Sequence, residues 1–506
     1  CSSMSGFPLQ GSCPFHDRGE GCNKCWKTEI GFFKDDPPEM AGRLFYNALR
    51  SSMNHFDKHL TLMRELLRSS NLTGRTSRNA LGSLTVRMGA VLLAFLLSVV
   101  LARLSGMYQY GSYVYAVGWL NVLLVPATFG FDKLLVRQVA IYQSRHDWNN
   151  LKGIYQFAAP RAMFVSIVVG LFLLGTVYFI AKEHPLASVF YLAALLVPIL
   201  SMIRLQQATL QGLNFVALGQ LPELIIQPLA LLLLILVVSY SMNLSLKASQ
   251  IMVLSIVAGV VALYFGRLMM KRVFPSEMLE AVPVQSSQDW ISSLVPLMVM
   301  NGIYILNDQL AIILLGLMGD ARDVAVFSAA ERWARFTIFM LYALNPVLGP
   351  VFARLYANNE KERLQKVVTV SAQIIALGAL IPLLAFVTAP RLFLSVFGND
   401  FYVGRTPLVI LGIGQFINAF TGSVGVLLSM TGYERAVVFG ALLGVLVNLL
   451  LGFLLIPYLH ATGAAIGASV STIVTNVVLA IFIFRTLKIF PTALGSRFAK
   501  RDVSLS

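Results

Sequence analysis

Charge is scarce in this sequence. Only 12% of its 506 residues are Asp, Glu, Lys or Arg, while 57% fall in the hydrophobic classes. An average soluble domain carries roughly 25% charged residues, and a soluble surface of this size could not be solvated with so few ionised groups. Cysteine is scarcer still. Cys1, Cys13, Cys22 and Cys25 are the whole complement, and none lies beyond the N-terminal tail, so no disulfide framework holds the body together. Residues 1–40 contain no apolar core of the length a signal peptide needs. The apolar runs lack the alternation of a barrel strand, which leaves helices as the only spanning structure that satisfies its own backbone in lipid.

What is present is a series of long, nearly charge-free blocks, among them Ala90–Leu101, Val165–Ile180, Leu229–Val238 and Val437–Ile456. With its flanks each fills the roughly 20 residues that a helix needs to cross a bilayer core. The pattern predicts an all-α polytopic membrane protein of about 12 transmembrane helices. The spans are expected near 82–104, 110–130, 157–181, 186–208, 217–239, 248–270, 291–316, 324–350, 365–388, 406–430, 435–457 and 462–485. They group into two pseudo-symmetric six-helix lobes, 79–272 and 290–488, joined by a polar, proline-bearing cytoplasmic linker at 273–289. Tails at 1–78 and 489–506 flank them.

A net charge of +15 invites a nucleic-acid reading, but the basic residues follow membrane topology instead. Thirty-one of the 39 Lys and Arg fall in the two tails and alternate connections, six on the opposite side, and Arg332 and Arg335 inside a span. The positive-inside rule then puts both termini in the cytoplasm of a multi-pass inner-membrane protein. An even span count agrees.

The halves share a spaced pattern: Gly106, Tyr113, Trp119, Arg137 and Lys152 recur as Gly319, Phe327, Trp333, Arg354 and Lys366. Six spans per half is even, so the repeat is parallel, about an axis along the membrane normal. In the N-terminal tail, Leu49, Met53, Phe56, Leu60, Met63 and Leu67 form one apolar helical stripe within 43–69, accompanied by basic residues. Two readings fit it, a helix lying on the anionic inner leaflet and a helix packed on the protein's own loops. The chain opens on Cys1 rather than Met. A truncated frame and an over-extended one, with its start at Met40, Met53 or Met63, both stay open.

Catalytic signatures are absent from this reading: no paired His and Asp near a membrane face, no phosphate-cradling glycine loop. The expectation is therefore a transporter rather than an enzyme. Cys13, His16, Cys22 and Cys25 have the residue types of a zinc site, with a short gap between the pairs; His55 and His59 stand one helical turn apart. Asn71 and Asn243 match the glycosylation acceptor pattern. The informative residues are ionisable groups at membrane depth, which usually face a bundle interior or an aqueous cavity. Asp308 lies inside the seventh span, Glu331, Arg332 and Arg335 in the eighth, and Glu223 near the start of the fifth between Pro222 and Pro228. Arg332 and Arg335, three apart, are expected on one helix face. An internal ion pair such as Asp308 with Arg332 is the purely structural alternative.

The stretch from Leu427 through Met430, Thr431, Gly432 and Tyr433 to Arg435, then Ile456, Pro457 and Tyr458 through Gly463 to Gly467, resembles the C-terminal hallmark of polysaccharide (oligosaccharide) flippases. Further matches follow in family order: Ala102 to Gly106 with Tyr110 and Gly111; Gly130 to Arg137; Gly212 to Asn214 and Leu218 to Glu223; Trp290 with Pro296; Asn307 and Asp308 to Gly316; and Ala353 to Tyr356. The likeness covers about residues 80–490 and leaves the N-terminal tail without a counterpart.

The resemblance implies the fold of the multidrug/oligosaccharidyl-lipid/polysaccharide (MOP) exporters, two lobes facing each other across a central cavity. It implies alternating-access movement of an isoprenoid-pyrophosphate-linked oligosaccharide for cell-surface polysaccharide such as O-antigen, alongside a polymerase and glycosyltransferases in a shared membrane. On it, Arg332 and Arg335, with Asp308 and Glu331, are the expected cavity residues for pyrophosphate or acidic sugars. Glu223 or Asp308 is expected to couple transport to H⁺ or Na⁺, with no other cofactor. A drug/cation antiporter of the same fold and a lipid-linked peptidoglycan precursor flippase are the competing readings.

Overall fold

The computed structural model describes residues 74–180, 182–183, 185–242, 246–274, 276–284 and 287–495. The tail stripe at 43–69, the Cys13, His16, Cys22 and Cys25 set, His55, His59, Asn71 and Asn243 lie outside the described residues. Among the described residues every regular element is helical. The long helices are α1 (Gly74–Thr128), α2 (Phe131–Ser144), α3 (Trp148–Ile180), α4 (Ala187–Gly212), α5 (Val216–Ser241) and α6 (Ala248–Val273), followed by α7 (Ser287–Met318), α8 (Ala321–Ala357), α9 (Lys361–Thr388), α10 (Arg405–Thr421) and α11 (Glu434–Leu487).

Ten spans among the described residues are long and apolar enough to cross a membrane. Two of them are double. α1 has 55 residues and α11 has 54, which at the α-helical rise would be about 80 Å of straight helix, more than twice a hydrocarbon core of about 30 Å. Neither is straight. Gly106 (φ 76°, ψ 169°) breaks α1 and His460 (φ 49°, ψ −127°) breaks α11, so each is a hairpin of two passes. Twelve passes result, as the apolar blocks predict. α2 is different: Phe131, Leu134, Leu135 and Val139 are its buried face, and it lies between the second and third passes in the basic connection.

The first six passes form one lobe and the last six the other. The segment that follows each lobe folds back on that lobe's third pass. After α6, Val284 N donates to Asn149 O (3.3 Å) and Lys152 Nζ to Ala281 O (2.9 Å). After α11, the amide of Gln365 on α9 exchanges both hydrogen bonds with the Phe490 backbone (2.8 and 3.0 Å). Gln373 Nε2 reaches Ala493 O (2.9 Å), and Ala493 N caps Phe420 O (3.2 Å). That carbonyl is free because α10 stops at Thr421: Val424 N bonds Gly422 O instead.

The lobes meet along both arms of α1. Gly111 lies so close to Ala321 O that a Cβ has no room; lower down, Gly118 faces Ile312 and Gly302 faces Val125. On the outer side Phe95 packs against Trp333, Phe336 and Phe397. Arg103 donates to Val396 O (2.7 Å) and Ser395 O (3.1 Å) across the seam.

Candidate functional site

The polar centre grows out of one turn of α8. Asp320 caps the helix start by accepting from Ala321 N. The α-helix runs to Ala334 and tightens into a 3₁₀ turn over Arg335–Ile338. Successive residues of the α-helical turn leave the axis about 100° apart, so Glu331 and Arg335, four apart, share a face while Arg332 and Trp333 reach other partners.

Arg335 Nη2 donates to Glu331 Oε1 (2.9 Å) and to Asp308 Oδ1 of α7 (3.1 Å). The other Asp308 oxygen accepts from Gln309 Nε2 (2.9 Å). One guanidinium is thus shared by two carboxylates, so the cluster holds one excess negative charge when both are ionised. Asp308 and Glu331 line a cavity of about 170 Å³ with Asn307, Asn448, Ser471 and Thr472. Ser471 Oγ sits 3.5 Å from Asn307 Oδ1. Asn448 is 2% exposed, and among the described residues its Oδ1 has no hydrogen-bond partner, an arrangement that is costly in a dry interior.

Arg332 takes the opposite direction. Its Nε donates to Tyr110 OH (3.3 Å) and its Nη1 to Ala94 O (3.4 Å), both on α1 of the other lobe. Tyr110 OH in turn meets Ser328 Oγ at 3.3 Å. Among the described residues no carboxylate forms an ion pair with Arg332. Asp308 therefore pairs with Arg335 and not with Arg332, and the two arginines part: Arg335 bonds two carboxylates that line the second lobe's cavity, and Arg332 lies at the seam.

The sequence model of the polysaccharide biosynthesis protein family matches residues 77–356, more than half of the chain. The chain belongs to that family. Its fold is that of the MOP transporters. The structure is similar to an inward-facing multidrug resistance MATE family transporter of the MOP superfamily (TM-score 0.63, 13% identity, 80% of this chain and 97% of that one). It is also similar to the lipid II flippase MurJ in an inward closed conformation (0.61, 12%, 80% and 87%). A third likeness is to a MOP superfamily transporter from Pyrococcus furiosus characterised by the reverse polarity of its binding pocket (0.56, 14%, 83% and 96%). No curated protein matches. By family and fold this member is a multi-pass membrane protein with the architecture of the MOP transporters.

In this family member the first lobe holds its own charge pair. Glu223 stands in a π-turn over Pro222–Ile226, where Gln227 N reaches back five residues to Pro222 O. Its Oε1 accepts from Arg204 Nε at 3.1 Å, and Arg204 Nη2 lies 3.4 Å from Asn121 Oδ1. Sequence reading counts Arg204 with the inner connections, but it belongs to α4, whose helix continues to Gly212. A lone Glu inside the same lobe was the only hint that Arg204 had a partner. Asn448 and Tyr110 carried no signal, since an Asn or Tyr in a span is unremarkable until its neighbours are known. Among the described residues no group of three or more His, Cys, Asp or Glu is placed to hold a metal ion.

Proposed function

We propose that this transporter moves an isoprenoid-pyrophosphate-linked oligosaccharide across the cytoplasmic membrane by alternating access, for cell-surface polysaccharide assembly. The observation that carries this reading is Arg332, a guanidinium at the lobe seam with neutral partners only. An anionic head group that displaces Tyr110 OH and Ala94 O would gain charge-assisted hydrogen bonds, and it would also loosen one of the ties that hold the lobes together. A sugar head cannot cross hydrocarbon unaided, whereas the isoprenoid tail can stay in lipid. Family membership supports the same substrate class. A polymerase and glycosyltransferases are the partners this role requires.

Coupling to H⁺ or Na⁺ is assigned to Asp308 and Glu331 rather than to Glu223. The second-lobe pair has an excess carboxylate open to a polar cavity, while Glu223 is matched by Arg204.

The second reading is a drug/cation antiporter or a lipid-linked peptidoglycan precursor flippase. The same acidic cavity favours it, and so does the character of the similar solved transporters. One experiment separates the readings. In a deletion strain the amount and sidedness of lipid-linked glycans in the inner membrane are measured, with drug sensitivity alongside. Glycan accumulation on the cytoplasmic face, reversed by this gene and not by its Arg332→Ala variant at equal expression, supports the first. Unchanged intermediates with altered drug sensitivity favour the antiporter, and accumulation of peptidoglycan precursor favours the precursor flippase.

A further inference from the structure

A second site lies on the membrane-facing side of the first lobe, away from the polar centre. Pro160 sits inside α3 and cannot donate to the carbonyl four residues back, which opens the helix there. At the end of α1's second arm Gly130 (φ 78°) turns the chain tightly against Leu294 O of α7, in a space that leaves no room for a Cβ. Between these features runs a groove of about 520 Å³, walled by Phe129, Phe131, Phe157 and Phe164 from the first lobe and by Ile291 and Leu294 from α7. Its floor is packed, with Phe157, Phe131 and Leu294 each 2% exposed, whereas its rim is open, with Phe164 at 68% and Ile291 at 55%.

Arg161 stands at this groove. Its guanidinium lies 3.8 Å from the Phe157 ring centroid, and Nη1 donates to Phe157 O at 3.0 Å. Among the described residues no carboxylate forms an ion pair with it, so most of its five N–H donors are left for another ligand. Its depth is set by the helix: nineteen residues separate it from Ile180, about 28 Å of rise. That is close to the thickness of the hydrocarbon core, so Arg161 lies at the inner edge of the bilayer, the level of lipid phosphates.

We propose that this groove binds an anionic phospholipid of the inner leaflet, with its phosphate on Arg161 and one acyl chain between α3 and α7. Charge, depth and an aromatic trough open to lipid all match that ligand, and anionic lipids populate the cytoplasmic leaflet. The groove shares no lining residue with the polar cavity, which argues for a resident lipid over a transported one. Because one wall belongs to each lobe, the lipid braces them at the inner face.

The test is native mass spectrometry of the purified full chain with phosphatidylglycerol and with phosphatidylcholine of identical chains. Wild type should retain phosphatidylglycerol about tenfold more strongly; Arg161→Gln should lose that preference and Arg161→Lys keep part of it. Equal retention of the two lipids by wild type overturns the proposal whatever the variants do, and so does an undiminished preference in Arg161→Gln. In a competition arm, displacement of phosphatidylglycerol by a polyprenyl phosphate at equal concentration would assign the groove to a substrate lipid and also overturn it. The two-lipid comparison does not depend on which molecule the protein transports; only the competition arm rests on the proposed substrate.

Discussion

The two lobes solve the same electrostatic problem differently. In the first, Arg204 and Glu223 form a one-to-one pair, with side chains 20% and 24% exposed, and Asn121 shares the guanidinium. In the second, Arg335 serves two carboxylates, and Asp308 is 53% exposed to its surroundings. A balanced, mostly buried pair has no charge left to respond to a ligand, and breaking it strands its partner. In the unbalanced cluster Glu331 is 18% exposed but Asp308 stays open, so one carboxylate has charge left to meet a cation. On this contrast we propose the first lobe's pair as structural and the second lobe's cluster as the responsive element.

The largest effect expected is at the balanced pair. Glu223→Ala leaves Arg204 partly buried and unmatched and should cost about 2–4 kcal/mol, read as a fall in Tm in detergent. Arg204→Gln combined with Glu223→Gln should recover most of it. If Glu223→Ala costs no more than Glu331→Gln, the contrast between the lobes fails.

Next comes the seam itself. Gly111→Ala drives a methyl into the Ala321 carbonyl, and overpacking of this kind costs about 1–3 kcal/mol. Its signature should be a change in the accessibility of cysteines introduced across the outer seam, whereas a Gly175→Ala control, which meets no neighbour, should change nothing.

The fold-back segments offer a comparison that is nearly symmetric. Gln373→Ala removes the tie to Ala493 and should cost about 1 kcal/mol, seen as faster proteolysis of the C-terminal segment. The same loss on Lys152→Ala, which removes the tie from α3 to Ala281 of the inter-lobe linker, would show that both lobes depend on their fold-backs alike.

The smallest stability effect is expected at the responsive cluster. Asp308→Asn leaves Arg335 its bond to Glu331, and an accessible pair is worth about 0–1 kcal/mol. Its consequence should appear in transport, as lost dependence on the H⁺ or Na⁺ gradient. Retained dependence would move the coupling out of this cavity.

Much of the fold was legible beforehand because membrane insertion makes demands on each segment separately. An apolar run long enough to cross must be a helix, and its flanking Lys and Arg report its direction. The spacing of Gly106 and Gly319 from their tryptophans anticipated that each marks the turn between the first two passes of its lobe. The helices run further than the apolar blocks, as α3 shows by starting at Trp148 rather than near 157, because lipid defines where a span must be apolar and not where a helix must end.

The site was only half legible. Composition singled out Asp308, Glu331, Arg332, Arg335 and Glu223, since charge at membrane depth needs a reason. Partner choice was not in the sequence. Arg335 turns to Glu331 and to Asp308 of α7 while Arg332 turns to α1, and residues 94, 110, 204 and 308 meet their partners only once twelve passes have packed. The sequence by itself determined a helical, twelve-pass, family-typical membrane protein, because hydrophobic length and backbone satisfaction are local constraints. Which charges are matched, which remain open and where a lipid-sized groove falls were decided by the tertiary structure, because those depend on distances between segments far apart in the chain.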